Sequence, residues 1–442
     1  MTTRVVMMGT LVAGLAQTAS GQLASPAPQT AAGRCKTEAA EYQNAKVGDL
    51  RLHLVAVTPD VMKPITAAAK RVARECANKI SMKAASPAEL IALSSVYLYT
   101  NDTSKASDAV ARLLARPGLS ESDRADAVIA AEQLAIAAFD PFAGINADAE
   151  KYVAQVDVMS DAVLAEKIRA HELLLGRYEY ADNDDGLRDH ARKLLVLGNR
   201  ALAANALGMT PPRAGVPPVN AAYPVIASAY SSLARAAGDF LHADSALMIL
   251  DEADRAIGAA FPRLKAYLGD QRAMYKLVGA SAAPIDGKWW INAPDGSTFV
   301  PGSAQVTVIQ FTAHWCVPCK NSYPGFMRMA ARFAGKPFES IMVTDTYGFI
   351  GDKAPLKPEQ EVAEDREYYV TQHGLPFKIA INPPLARNDT GTQNNNRRYA
   401  VNGIPEIIVV DRKGVIRAMV VGWDKGNEER LSALVEKILA EK

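Results

Sequence analysis

Two thiols stand three positions apart in Trp315-Cys316-Val317-Pro318-Cys319-Lys320. A pair at that spacing can close into a disulfide and reopen, a two-electron exchange that needs no bound cofactor. With Cys316 as the first residue of a helix, its thiolate faces the positive end of the helix dipole and its pKa falls, which makes it the nucleophile. Cys319 lies one turn later on the same face, where it can attack a mixed disulfide formed at Cys316. Pro318 lacks an N–H and suits a first helical turn, where that donor would have no partner. The two sulfurs are expected at a helix tip, facing water.

Such a pair needs a stiff element before it and a helix after it. Val306–Phe311 is apolar and β-branched, the length of a buried strand. Lys320–Phe333 carries Phe326, Met329, Ala330 and Phe333 at helical spacing, with Pro324 as a kink. Downstream, Gly403-Ile404-Pro405 precedes the strand-like Ile407–Asp411, and Arg412-Lys413-Gly414 reads as a hairpin turn into Val415–Val421. Lys288–Ile291 reads as a strand, Pro294-Asp295-Gly296 as a turn and Thr298–Val300 as the partner strand. Tyr347–Pro376 is an insertion between two strands, helical over Glu359–Gln372, and Asn382–Arg397 is a polar loop placed to flank the dithiol.

With W-C-V-P-C-K, the helix Pro324, G-I-P before a strand and D-R-K-G between the last two strands, the stretch from about Trp289 to Lys442 resembles a thioredoxin-fold domain of the extracytoplasmic TlpA/ResA type. The resemblance covers the last third of the chain and implies a thiol–disulfide oxidoreductase. Cys316 would then be the nucleophile, Cys319 the resolving thiol and Pro405 a cis-proline beside them. Trp315 would shield the pair and offer an apolar docking surface. The implied partners are disulfide-containing protein substrates and, for a reductase, a membrane thiol-transfer protein as electron donor. The resemblance leans to a reductase; an oxidase or isomerase is the competing enzyme, and a redox-domain scaffold that recruits partners through its helical part is the alternative of another class. Two positions depart from the family. Gln310 stands where cytosolic thioredoxins carry a buried carboxylate, and Gln cannot titrate. Glu406 follows Pro405, where a small hydroxyl residue is commoner; a carboxylate there either raises nearby thiol pKa values or, as expected here, points to solvent.

Other chemistries fit poorly. A zinc site would need two ligands beyond Cys316 and Cys319, and there is no second pair, so neither metal nor cofactor is expected. His314 either tunes Cys316 or sits on an exposed rim, and the rim is the expectation. A peroxidase would need Thr and Pro where Ala313 and Ile309 stand. Net charge is +1, from 49 basic and 48 acidic residues, so nucleic acid is not an expected partner.

Arg4, the apolar run Val5–Ala16 and Ala19-Ser20-Gly21 have the layout of a signal peptide cleaved near Gly21, too short to span a bilayer. That places the protein in the periplasm or outside the cell, with no membrane span after cleavage. In an oxidising compartment the remaining Cys35 and Cys76 are expected to form a structural disulfide; the alternative is two buried, unbonded thiols.

The expected organisation is a signal peptide over 1–21, a disordered mature N-terminus over 22–34, an all-α repeat-like domain of helical hairpins over 35–278, a linker over 279–287 and an α/β thioredoxin-fold domain over 288–442. Ser86-Pro87-Ala88-Glu89 reads as a helix start with a capping box. Paired helical runs at 86–114, Leu164–Leu202 and Val225–Ile257 resemble tetratricopeptide-type repeats, loosely, and their surface could bind a protein partner.

Overall fold

The computed structural model describes residues 30–52, 59–137, 147–180, 183–210, 218–238, 242–351, 353–383, 394–423 and 425–441. Residues 1–21, read as a signal peptide, lie outside the described residues. Of the stretch 22–34 expected to be disordered, the described part is helical from Ala31, with Ala32 fully buried.

Apart from a bridge between Met209 and Asn220, the regular elements among the described residues before Gly279 are helices. The helices are α1 (Ala31–Leu52), α2 (Pro59–Ala77), α3 (Pro87–Tyr99), α4 (Thr103–Leu114), α5 (Glu121–Ala137), α6 (Ala147–Asp157), α7 (Leu164–Tyr180), α8 (Asp184–Ala203) and α9 (Ala222–Ala237). Then follow α10 (Ala243–Ile257) and α11 (Leu264–Leu277). The chain divides into two compact units, and the division falls inside α9, between Leu233 and Ala234; the described residues of 50–62 group with the second unit. The boundary expected at 279–287 is therefore not where the chain divides. An Ala- and Leu-rich pattern reports a helix but not the core it joins, and α10 and α11 group with the second unit.

In the first unit, α3 packs on α4, α5 on α6 and α7 on α8 as successive hairpins. Ser86 caps α3, its Oγ accepting the Glu89 N–H at 3.2 Å. The Glu89 carboxylate does not return to Ser86; it accepts the Ala32 N–H at 2.6 Å and so ties α1 to the start of α3. Cys35 on α1 is bonded to Cys76 on α2, with Cα atoms 5.5 Å apart. Small side chains let these helices approach: Ala69, Ala73, Ala106 and Ala109 are all fully buried beside Leu93 and Leu113. Between α6, α7 and α8 runs a polar row, its two imidazoles buried and its end carboxylates partly exposed. Asp157 Oδ1 lies 2.9 Å from His171 Nε2, His171 Nδ1 lies 2.8 Å from His190 Nδ1, and His190 Nε2 lies 3.0 Å from Glu150 Oε1.

The second unit is built on a six-stranded mixed sheet. Its strands are β2 (Trp289–Ile291), β4 (Val306–Phe311), β5 (Phe338–Asp345), β6 (Lys378–Asn382), β7 (Glu406–Val410) and β8 (Ile416–Val421), in the order β2-β6-β5-β4-β7-β8. The pairs β4–β5 and β5–β6 are parallel; β4–β7, β7–β8 and β2–β6 are antiparallel. Every residue of β4 and β7 is buried. After α10 and α11, the further helices of this unit are α12 (Val317–Arg332), α13 (Pro358–Arg366), continued by a π-helical turn over Glu367–Gln372, the short α14 (Asn395–Arg398) and α15 (Lys425–Ala440). Phe326 and Met329 of α12 and Leu431 and Val435 of α15 join Val308, Met342 and Ile407 in one core. Gly414 takes φ +81° in the β7–β8 turn, a conformation that suits Gly.

Two expectations about the sheet need correcting. Thr298–Phe299 (β3) does not pair with Trp289–Ile291; it pairs with Ile285–Asp286 (β1), while β2 pairs with β6. The Trp290 N–H instead donates to Asp295 Oδ1 at 2.7 Å, which bends the chain out of a hairpin. The supposed linker is also not free. Gly279 N donates to Ile416 O at 2.8 Å, Ile416 N to Ala280 O at 2.9 Å and Ala282 N to Gly414 O at 2.7 Å, so this segment covers the start of the edge strand β8.

The disulfide between Cys35 and Cys76 closes a loop with a sequence separation of 41. Loop-closure entropy for that length corresponds to about 4 kcal/mol. Replacing both cysteines with Ser in the full chain should lower the stability of the helical unit by up to that amount. Urea unfolding followed by circular dichroism measures it, and an unchanged midpoint would contradict the expectation.

Candidate active site around Cys316 and Cys319

The sheet delivers the dithiol. β4 ends at Phe311, Thr312 N still bonds Val343 O at 2.9 Å, and the chain turns so that Cys316 N donates to Ala313 O at 3.1 Å. Cys316 is the N-cap of α12 rather than its first helical residue. Its Sγ accepts the Cys319 N–H at 3.2 Å, so the sulfur sits where a capping oxygen usually does. Pro318 lies in the first turn as expected. The sulfurs are bonded, with Cα atoms 5.2 Å apart.

Exposure departs from expectation. Cys316 is only 3% exposed and Cys319 is fully buried, so the pair does not open broadly to water. Val317 beside it is 62% exposed. Trp315 is half-buried, its ring edge-on to Tyr347 at 5.4 Å between centroids. Ile404 is likewise half-buried, and its carbonyl oxygen lies 3.6 Å from Cys316 Sγ. The Ile404–Pro405 peptide is cis.

Gln310 lies fully buried in β4, opposite Ile407 of β7 and Met342 of β5. Its Nε2 donates to Ser322 Oγ at 2.7 Å, and the Ser322 hydroxyl donates to the Cys319 carbonyl at 2.6 Å. Gln310 Oε1 has no hydrogen-bond partner. This amide braces the first turns of α12 and holds no exchangeable charge.

Glu406 does not point to solvent. It opens β7 directly opposite Phe311, with strands on both sides, and is fully buried. Burial pushes its carboxyl well above the usual carboxylate range, opposed only by the Asn402 N–H at 3.3 Å to Oε2. Oε1 has no partner.

His314 is no rim residue either; it is 2% exposed. Its Nδ1 lies 3.1 Å from Asp365 Oδ1 on α13, and the edges of Tyr347, Phe349 and Tyr368 enclose the ring. Glu361, one turn before Asp365, accepts the N–H groups of Tyr347 at 2.6 Å and Gly348 at 2.5 Å. Burial pushes Glu361 up to about 7 and also raises Asp365. Sequence reasoning passed over both acids. Their spacing of four on a helix was a visible sign, but the histidine they meet comes from 47 residues or more upstream. Of the residues singled out in sequence, Cys316, Cys319, Trp315, Pro318 and Pro405 meet at this edge of the sheet, with Gln310 and Glu406 beneath it. Cys35 and Cys76 belong to the first unit.

No protein-family model matches the chain, and no curated protein matches it. Solved structures that resemble part of it include a thiol-disulfide isomerase from Corynebacterium glutamicum, at 21% identity over 37% of this chain and 98% of that one, TM-score 0.29. StoA from Bacillus subtilis is 22% identical over 35% of this chain and 97% of its own, TM-score 0.26. A thiol:disulfide interchange protein of the thioredoxin family from Chlorobium tepidum is 15% identical over 36% of this chain and 96% of its own, TM-score 0.27. At such identities the likeness concerns backbone form alone. The strand order and helix placement of the second unit are those of a thioredoxin-type fold. A Cys-x-x-Cys disulfide at a helix start in that fold is the arrangement of a thiol–disulfide oxidoreductase.

Glu406 has a pH signature. Its folded-state pKa lies above the unfolded value of 4.5, so the protonated form is favoured by folding. The stability it contributes is whole below pH 4.5 and is lost as pH rises toward the folded value. Glu406→Gln should match the wild type at pH 4.5 and exceed it in melting temperature at pH 8. Parallel curves for the two proteins across that range would contradict this.

Proposed function

We propose that the protein is an extracytoplasmic thiol–disulfide oxidoreductase of the TlpA/ResA kind that reduces disulfides in other proteins. The observation that carries this reading is the closed Cys316–Cys319 pair at the start of α12, with the Ile404 carbonyl 3.6 Å from the outer sulfur. Cys316 is the sulfur with residual exposure and Cys319 is sealed, which favours attack through Cys316.

In the reducing direction the pair must first be opened by a dithiol donor, which takes the disulfide bond upon itself. The Cys316 thiolate then attacks a sulfur of the substrate disulfide. That S–S bond breaks, a Cys316–substrate bond forms, and the leaving sulfur departs as a thiolate that takes a proton from solvent. Cys319, deprotonated, attacks Cys316 Sγ and releases the second substrate thiolate. Two electrons have moved to the substrate and the Cys316–Cys319 bond is restored. Gln310 has no proton to exchange, so the proton lost by Cys319 goes to water or to another buried group; Glu406, held toward its protonated form, is no ready acceptor. Pro405 and the Ile404 carbonyl hold the substrate chain beside the sulfurs, and Trp315, Tyr347 and Val317 form the apolar rim against which it docks.

A membrane thiol-transfer protein is the donor class that an oxidising compartment requires. The helical hairpins of the first unit, tetratricopeptide-like in their succession, recruit a protein partner in this reading. The segment at 1–21 supports export by its composition.

Cys319→Ser should accumulate mixed disulfides with specific extracytoplasmic proteins, visible on non-reducing gels and released by dithiothreitol, whereas Cys316→Ser should trap none. Equal trapping by both variants, or by neither, would remove the enzyme. Equilibration of the pair with glutathione fixes direction: a potential near about −120 mV, the oxidising end for this fold, would replace reductase by oxidase.

A further inference from the structure

Behind the residue that precedes Trp315, three side chains converge that the dithiol exchange leaves unused. His314 arrives from the loop after β4; Glu361 and Asp365 arrive from successive turns of α13. One donor atom from each lies within 4.8 Å of the other two, and all three residues are buried. Two of their polar atoms, His314 Nε2 and Asp365 Oδ2, have no hydrogen-bond partner. His314 is 2% exposed and Asp365 fully buried, so bulk water does not satisfy these atoms. A buried carboxylate oxygen and a buried ring nitrogen left bare cost free energy that a fold normally recovers with a ligand, a water or an ion.

We propose that His314, Glu361 and Asp365 form a binding site for one divalent transition-metal ion of the zinc, cobalt and manganese class. Charge selects the valence. Two ionised carboxylates and a neutral imidazole carry two negative charges, and a divalent ion makes the whole cluster neutral, which a low-dielectric interior favours. Donor type selects the class. One nitrogen and two carboxylate groups suit these ions, whereas calcium and magnesium prefer all-oxygen shells and cuprous ion prefers sulfur.

Much of the site is already in place. The Tyr347 and Gly348 N–H groups hold both oxygens of Glu361 and leave their other lone pairs for an ion. The aromatic edges of Tyr347, Phe349 and Tyr368 fix the imidazole. Residues 347–350, half-buried, lie between this cluster and solvent. The fourth position is left to water. An ion here would fasten the inserted helix α13 to the turn that carries the dithiol, without using either sulfur.

The test uses the full-length chain with Cys316→Ser and Cys319→Ser, so that no active-site thiolate can bind metal; Cys35 and Cys76 are bonded to each other. After stripping with a chelator, the protein is titrated with cobalt(II) and then with zinc(II). One equivalent should bind, with visible d–d absorbance free of thiolate charge-transfer bands, displaced by zinc and accompanied by a rise in melting temperature. His314→Gln and Asp365→Asn, added singly, should each weaken binding at least about tenfold. Absence of a cobalt band and of any zinc-dependent melting shift would overturn the proposal, as would binding unchanged in both variants. Should the variants not fold, zinc added to protein labelled with ¹⁵N in its histidine rings decides. The ring nitrogen of His314 should move on saturation, and an unmoved His314 signal is a failure of the proposal. None of these readouts depends on the redox reaction.

Discussion

The antiparallel pairing of β4 with β7 is the constraint on which the second unit's site depends. Phe311 faces Glu406 across that ladder, so the end of one strand and the beginning of the other meet at one edge of the sheet. The chain leaving β4 reaches Cys316 five residues later, and the chain entering β7 has just passed Ile404 and Pro405. A slip of the ladder by one residue would turn every β7 side chain to the opposite face. It would also carry the Ile404 carbonyl away from the sulfur. The parallel neighbour β5 and the antiparallel β8 hold the pair from either side, which leaves neither strand an edge along which to slide.

Around that edge most side chains are buried and few carry a charge. Gln310 supplies a brace through Ser322 to the carbonyl of Cys319, and its own amide oxygen goes unused. Glu406 is present but pushed toward its neutral form by burial. A site of low polarity strengthens each remaining dipole, including the Cys319 N–H that points at Cys316 Sγ. The apolar rim of Trp315, Tyr347 and Val317 continues this character to the surface, and a partner chain laid there would meet rings and methyl groups before it met sulfur.

Much of this was legible from residue order, because the signals were local. Val306–Phe311 reads as a buried strand and is one; Pro318 and Pro324 lie inside α12; Gly414 turns β7 into β8. What could not be read was what depends on the neighbours of an element rather than on the element itself. A carboxylate at position 406 looks like a surface residue until β7 is known to lie between β4 and β8. His314 looks like a rim residue until α13, contributed by an insertion, is folded over it. Thr298–Phe299 looks like the partner of Trp289–Ile291 because the two are close in sequence, yet β2 finds β6, some ninety residues away, and β1 takes β3. The helices α10 and α11 show the same limit: their pattern says helix, and only the assembled chain says with which core.

The polar row in the helical unit has a consequence for its hydrogens. Asp157, His171, His190 and Glu150 are joined by three short gaps, and each gap needs one hydrogen in it. The two carboxylates bring none when ionised, and two neutral imidazoles bring one apiece. The row is therefore one hydrogen short unless it carries an extra proton, shared as an imidazolium or a carboxylic acid somewhere along its length. Without that proton one gap is left empty, either between the two rings or between a ring nitrogen and a carboxylate, as the tautomers choose.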